Sequence, residues 1–286
     1  MTEDNTGNRS ASETGGGSLA GRYAVVTGGT QGLGLATARL FAARGAAGIV
    51  ICGRNTERGE AAAKSISEDG CPTTFVAADL ANLDDCRKVI DTAAQRFGTL
   101  HALVNAAAIT DRGTIIDTSP ELFDRMMATN VRAPFFLMQD AAKVMLRTGT
   151  RGTVVNVLSM ASYGGQPFIC AYSTSKGALA TLTRSAGFSL MRDGIRINGL
   201  NIGWMDTPGE DVIQKKYHGA TEGWRDKAES DLPAGRMLKP EEVARAIAFL
   251  SSDESGMMSG SIVDFDQSVI GCYESPPMVD RRDWGV

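Results

Sequence analysis

Tyr172 and Lys176 bound the run Tyr172-Ser173-Thr174-Ser175-Lys176, and Ser159 stands thirteen residues before the tyrosine. On a helix, side chains four residues apart share a face, so a phenol and an ammonium group are expected side by side. A tyrosine titrates near pH 10, too high for ready proton exchange at neutral pH, and a nearby cation favours its phenolate. The trio suits a proton carrier (Tyr172), a tuning charge (Lys176) and a hydroxyl (Ser159) that hydrogen-bonds a reacting oxygen. The same residues also describe a solvated helix pair with an unrelated serine nearby, so the case rests on their surroundings.

Ser159 follows the apolar run Val154-Val155-Asn156-Val157-Leu158, which reads as a strand, and residues 171–192 read as a long helix. The rest of the chain repeats that alternation. Strands are expected at 23–27, 48–52, 73–77, 101–106, 152–158, 195–201 and 261–266. Helices are expected at 33–44, 57–66, 83–97, 120–147, 171–192 and 240–252. Near-continuous apolar strands alternating with amphipathic helices predict an α/β fold, a doubly wound parallel seven-stranded sheet with helices on both faces. A single domain is expected over 21–272, with 204–239 as a lid because it lacks a clear period. Residues 1–20 are polar, acidic and glycine-rich without an apolar core; they are expected to be a disordered tail, neither signal peptide nor anchor. Residues 273–286 form a C-terminal extension.

Of 286 residues, 43% are hydrophobic and 22% charged, ordinary proportions for a globular domain. The net charge of −4 and the lack of Lys/Arg clusters argue against a nucleic-acid partner. No apolar run reaches membrane-spanning length. Cys52, Cys71, Cys86, Cys170 and Cys272 are scattered, without metal-ligand spacing, and fit reduced thiols in a cytoplasmic protein. His101 and His218 are the only imidazoles, so neither a metal site nor a Ser-His-Asp triad is expected.

Between the first strand and first helix lies Thr27-Gly28-Gly29-Thr30-Gln31-Gly32-Leu33-Gly34. Glycines there permit positive φ and a close approach of phosphate to backbone, while the helix start offers free N–H groups. The spacing departs from Gly-x-Gly-x-x-Gly, but the placement is that of a dinucleotide cradle. At the second strand end, where an acid would bind the ribose hydroxyl of NAD, the chain has Arg54-Asn55. An arginine there suits the 2′-phosphate of NADP, so NADP(H) is favoured over NAD(H).

With these motifs in order, residues 21–270 resemble the short-chain dehydrogenase/reductase family in its single-domain, Rossmann-fold form. Thr27-Gly28-x-x-x-Gly32-x-Gly34 is similar to the family's glycine turn. The resemblance implies cofactor contacts at Gly28, Thr30, Gln31, Gly32, Leu33 and Gly34, then at Arg54 and Asn55. It adds Asp79 and Leu80 after the third strand, the acid meeting the adenine amino group. Asn105 and Ala107, in Asn105-Ala106-Ala107-Ala108, stand for Asn-Asn-Ala-Gly. Met205 and Thr207 follow Asn201-Ile202-Gly203, which stands for Asn-Pro-Gly, and Asp266-Gln267-Ser268 stands for Asp-Gly-Gly. The implied catalytic tetrad is Asn130, Ser159, Tyr172 and Lys176. Tyr172 and Lys176 also contact the cofactor, and Asn130 holds a water that relays protons from Lys176.

The expected activity is hydride transfer between NADP(H) and a secondary alcohol or its ketone, with Tyr172 as general acid/base. An NAD-linked polyol or sugar dehydrogenase, a non-catalytic dinucleotide sensor and an acyl-carrier-protein reductase are the alternatives. The last would need a basic patch, of which Lys215, Lys216 and Arg225 are a thin version. Tyr163, Gln166 and Trp204 are candidate substrate contacts, with Phe168 and Met205 beside them. Phe135, Phe136 and the apolar faces of 120–147 and 171–192 suit a subunit interface; the family implies a homotetramer, or a homodimer.

Overall fold

Val25, Val26, Ile49, Val50 and Ile51 are wholly shielded from solvent, as residues of strands covered on both faces must be. The computed structural model describes residues 18–272. Its strands are β1 (Tyr23–Thr27), β2 (Gly48–Gly53), β3 (Thr73–Ala77), β4 (Ala102–Asn105), β5 (Thr153–Val157), β6 (Arg196–Ile202) and β7 (Ile262–Phe265). They form one seven-stranded sheet in the order β3-β2-β1-β4-β5-β6-β7, every neighbouring pair parallel, as expected.

Alternate residues of each strand feed separate cores, because side chains alternate across a pleated sheet. Val26, Ile49, Ile51 and Val104 pack in one core with α1 (Gly32–Ala43), α2 (Thr56–Glu68) and α9 (Pro240–Ser251). Val25, Val50, Leu103 and Val154 pack in the other with α3 (Leu83–Phe97) and α5 (Ala133–Thr148). The strand order reverses between β1 and β4, and at such a switch point the carboxyl ends of the strands diverge to leave a crevice.

Three segments differ from expectation. The helix expected over 120–147 is α4 (Pro120–Met127), a π-turn at Ala128–Arg132, and α5. Pro134, near the start of α5, has no N–H to give the Asn130 carbonyl, and Ala133 N–H bonds instead to Ala128 O. The helix expected over 171–192 is α6 (Cys170–Ser189), followed by a 3₁₀ turn at Met191–Asp193. The aperiodic stretch 204–239 contains α7 (Pro208–His218) and α8 (Trp224–Ser230). Thr207 caps α7, accepting the Glu210 N–H at 3.1 Å, and Gly219 ends it at φ +63°. Those caps are written in the sequence; α7 lacks an apolar stripe because none of its residues is buried.

The folded body also begins earlier than residue 21. Leu19 is 1% exposed and its N–H donates to Arg44 O at 3.1 Å. The remainder of the expected tail and the C-terminal extension, residues 1–17 and 273–286, lie outside the described residues. Among the described residues no helix is long and apolar enough to cross a membrane.

Candidate active site

The crevice at the switch point is a cleft of about 1510 Å³ running along the carboxyl edge of the sheet. A pocket for one small ligand measures roughly 300–1,000 Å³, so this one has room for a dinucleotide and a substrate together.

Its floor at one end is the β1–α1 turn. Gly28 and Gly32 take φ of +66° and +51°, the left-handed region that glycine tolerates best. Gly34 lies so close beneath the turn that a Cβ there would sit 2.3 Å from Gly28 O. Gln31 begins α1 without a side-chain cap, so the first-turn N–H groups remain available to an anion. Thr30, Gln31 and Leu33 line the cleft with these glycines. The cradle fits a diphosphate.

Arg54 and Asn55 follow at the end of β2. Asn55 caps α2, accepting the Arg58 N–H at 2.8 Å, while the Arg58 side chain reaches back to Gln31 Oε1. Arg54 lines the cleft and makes no ion pair among the described residues. Asp79 and Leu80 line the next wall. Desolvation pushes the Asp79 carboxyl up, but the Ala81 N–H and the Arg125 guanidinium, 3.1 Å away, outweigh it and hold the group low. Ala106 and Ala107 donate their N–H groups to Thr27 Oγ1 at 3.0 and 3.1 Å, which seats this stretch against the glycine turn. Asn105 does not line the cleft; it is buried, with Nδ2 on Asn156 Oδ1 at 2.8 Å, and serves the sheet interior.

The chemistry-bearing side chains meet at the middle of the cleft, where Ser159, Tyr172 and Lys176 all line it. β5 delivers Ser159, whose Oγ accepts the Ala161 N–H at 3.2 Å and opens a short 3₁₀ turn. α6 delivers the other two from one face, with Lys176 Nζ 5.6 Å from the Tyr172 ring centre. Lys176 is 2% exposed, donates to Val157 O at 2.8 Å, and burial lowers its pKa to about 8. Burial pushes the Tyr172 phenol up, and the groups working the other way are Ser159 and the charge of Arg112, not Lys176.

Asn130 sits in the π-turn behind this wall. Its Oδ1 accepts the Ile109 N–H at 3.0 Å, and its Nδ2 donates to Ile109 O at 3.0 Å and Ser175 Oγ at 3.1 Å. The side chain thus ties the post-β4 loop to α6. Pro134 removes the α-helical donor that the Asn130 carbonyl would otherwise meet.

At the far end, Gln166, Phe168, Trp204, Met205 and Thr207 line the cleft. Tyr163 does not. It is 54% exposed and its hydroxyl turns to Asp264, 3.1 Å away, because the 3₁₀ turn after Ser159 points it along β7. The sequence reading also passed over Arg58, Arg112, Arg125, Glu210, Gln214 and His218, all of which line the cleft. Glu210, Gln214 and His218 recur at four-residue spacing on α7, a helical signal carried by polar rather than apolar residues.

Residues 28–268 match the family model described as enoyl-(acyl carrier protein) reductase. The chain is 37% identical to an uncharacterized oxidoreductase of Thermotoga maritima, over 86% of this chain and 96% of that one. It is 32% identical to an NADP-dependent (R)-specific alcohol dehydrogenase of Lentilactobacillus kefiri, over 85% and 94%. The crystal structure of L-sorbose reductase from Gluconobacter frateurii, complexed with NADPH and L-sorbose, superposes with a TM-score of 0.82 at 27% identity, covering 89% of this chain and 98% of that one.

Proposed function

The chain belongs to the short-chain dehydrogenase/reductase family and is an NAD(P)-dependent alcohol or polyol oxidoreductase, and from that premise we propose a specific cofactor and mechanism. It moves hydride between NADP(H) and a secondary alcohol or its ketone. The observation that carries this is the convergence of Ser159, Tyr172 and Lys176 on the cleft that starts at the glycine cradle.

The Gly28–Gly34 turn, Arg54, Asp79, Ala107, Lys176, Met205 and Thr207 line one cleft and would hold the dinucleotide, which would supply or accept the hydride. Ser159 Oγ holds the substrate oxygen, and Tyr172 Oη gives it a proton in reduction or takes one in oxidation. Lys176, fixed by Val157 O, contributes positive charge beneath the site and a path for the proton. Asn130 positions the loop after β4 against α6 and holds a water that relays the proton.

NADP(H) over NAD(H) rests on the adenine end. No acid ends β2, Arg54 is unpaired among the described residues, and Arg58 and Arg125 flank it in the cleft wall. The NADP dependence of the Lentilactobacillus relative supports the same choice. Fluorescence titration is expected to give NADP(H) a dissociation constant about tenfold or more below that of NAD(H). Arg54→Ala should erase most of that gap by weakening NADP(H) alone, and equal affinities in the wild type would refute the preference.

The acyl-carrier reading loses its docking patch. Lys215 pairs with Asp211, Lys216 with Asp111, and Arg225 with Asp206 and Asp211. Those pairs leave little free positive charge for an acidic carrier and favour a free small molecule as the substrate. A homotetramer accounts for Phe135 and Leu146 on α5 and Phe188 on α6, which are 44%, 48% and 79% exposed in the single chain. Light scattering on the purified protein should return four times the 30.2 kDa chain mass, and a monomer would leave those faces unexplained.

A further inference from the structure

Arg112, in the loop after β4, brings a guanidinium into the substrate end of the cleft with only 14% of its side chain exposed. Its Nε donates to His218 Nε2 at 3.2 Å and its Nη1 to Thr110 O at 2.9 Å. The guanidinium carbon lies 5.6 Å from the Phe168 ring centre, and His218 packs edge-on against the same ring. None of these partners is a carboxylate. Glu210 makes a long ion pair with Nη2 at 3.9 Å, beyond hydrogen-bond distance, and its Oε1 already accepts from Trp204 at 2.9 Å and Gln214 at 2.7 Å. Nη2 therefore has no hydrogen-bond acceptor among the described residues.

A half-filled, largely buried guanidinium fork is built for a planar anion, because a bidentate carboxylate satisfies both charge and donors. Fastening the lid is not a sufficient reason for Arg112. Its neighbour Asp111 already holds α7 through Tyr217 Oη at 2.5 Å and Lys216 Nζ at 3.2 Å. Arg112 also sits close enough to the reaction centre for its charge to act on the Tyr172 hydroxyl.

Resting on the oxidoreductase reading above, we infer that the substrate is a hydroxy acid or the matching oxo acid, whose carboxylate pairs with Arg112 while its reacting oxygen lies between Ser159 and Tyr172. The carboxylate is a spectator to the redox step. In oxidation the Tyr172 phenolate takes the hydroxyl proton and the carbinol carbon becomes a carbonyl as it gives up a hydride, which a bound nicotinamide cofactor would accept. Glu210 is the group that an incoming carboxylate must compete with.

The test sets oxo acids that differ in the separation of ketone and carboxylate against their methyl esters and against plain ketones, with NADPH. For at least one acid, wild-type kcat/KM should exceed that of its ester by about 10²-fold, the scale of a charge-assisted pair. Arg112→Gln should lower the acid-to-ester ratio by a similar factor, mostly through the KM of the acid, and Arg112→Lys should fall between. Glu210→Gln should raise acid turnover, whereas a mere Arg112–Glu210 latch would make it as harmful as Arg112→Gln. NADPH titration checks that each variant keeps a folded cleft; if Arg112→Gln does not, the ratios in wild type and Arg112→Lys decide. Esters or plain ketones turned over as well as every acid would overturn the carboxylate site and leave the oxidoreductase reading standing. No turnover of any acid would overturn the carboxylate site, and no turnover of ketones, alcohols or polyols either, with NADP(H) or NAD(H), would overturn the oxidoreductase reading as well.

Discussion

Tyr172→Phe is expected to lower kcat by about 10³-fold or more while cofactor binding stays near the wild-type level. The substitution removes one oxygen and keeps the ring, so Lys176 retains both its aromatic neighbour and its bond to Val157 O. Burial holds the phenol above its ordinary pKa, so at neutral pH Tyr172 carries its proton. That is the form needed to protonate a carbonyl oxygen, and reduction should run well from neutral pH downward. Oxidation needs the phenolate, so its kcat/KM should climb as pH rises toward the phenol's pKa, and the climb should vanish in Tyr172→Phe. Steady-state rates in both directions across pH measure this. A variant that turns over like wild type would remove Tyr172 from the chemistry and revive the reading of the fold as a dinucleotide sensor.

What the sequence revealed and what it hid divide along a physical line. Strands such as Val25-Val26 and Ile49-Val50-Ile51 announced themselves because burial on both faces leaves them no choice but apolar residues. The glycine turn, Arg54 and the Tyr172–Lys176 pair were legible because their spacing is a local constraint. Residues placed by tertiary contact were not. Asn105 looked like a cofactor contact, but a buried partner on β5, Asn156, claims its side chain. Tyr163 lies between two site residues in sequence, yet a four-residue 3₁₀ turn sends it to Asp264. Arg112 and His218 are 106 positions apart, and only the descent of α7 over the cleft makes them neighbours. The weight of burial on the Tyr172 phenol was hidden for a related reason. Sequence shows which charge is near along the chain, not how strongly burial opposes ionisation.

Gly34→Ala tests the other end of the cleft. On an exposed helix the change should stabilise by about 1 kcal/mol, because alanine is the better helix former. Gly34 is the third residue of α1, but a Cβ there would lie 2.3 Å from Gly28 O, 2.6 Å from Gly28 C and 3.0 Å from Gly29 N. Those atoms are backbone and cannot swing aside as a side-chain tip would. The turn must lift off the helix, and overpacking of this kind costs about 3 kcal/mol. The clash outweighs propensity, so the net is a loss of about 2 kcal/mol, from the difference of those two magnitudes. Because the displaced atoms are the cradle itself, NADP(H) affinity should fall by about tenfold or more as well, and added cofactor should rescue less of the melting temperature than in wild type. Gly177, in α6, provides the control: the nearest atom to its added Cβ is Ser162 O at 3.4 Å, an ordinary contact, so alanine there should be neutral or mildly stabilising. Thermal unfolding of both variants with and without cofactor gives the comparison. A Gly34→Ala protein that melts with the wild type and binds NADP(H) equally well would show that the turn is not held against the helix, and the cradle would lose its physical basis.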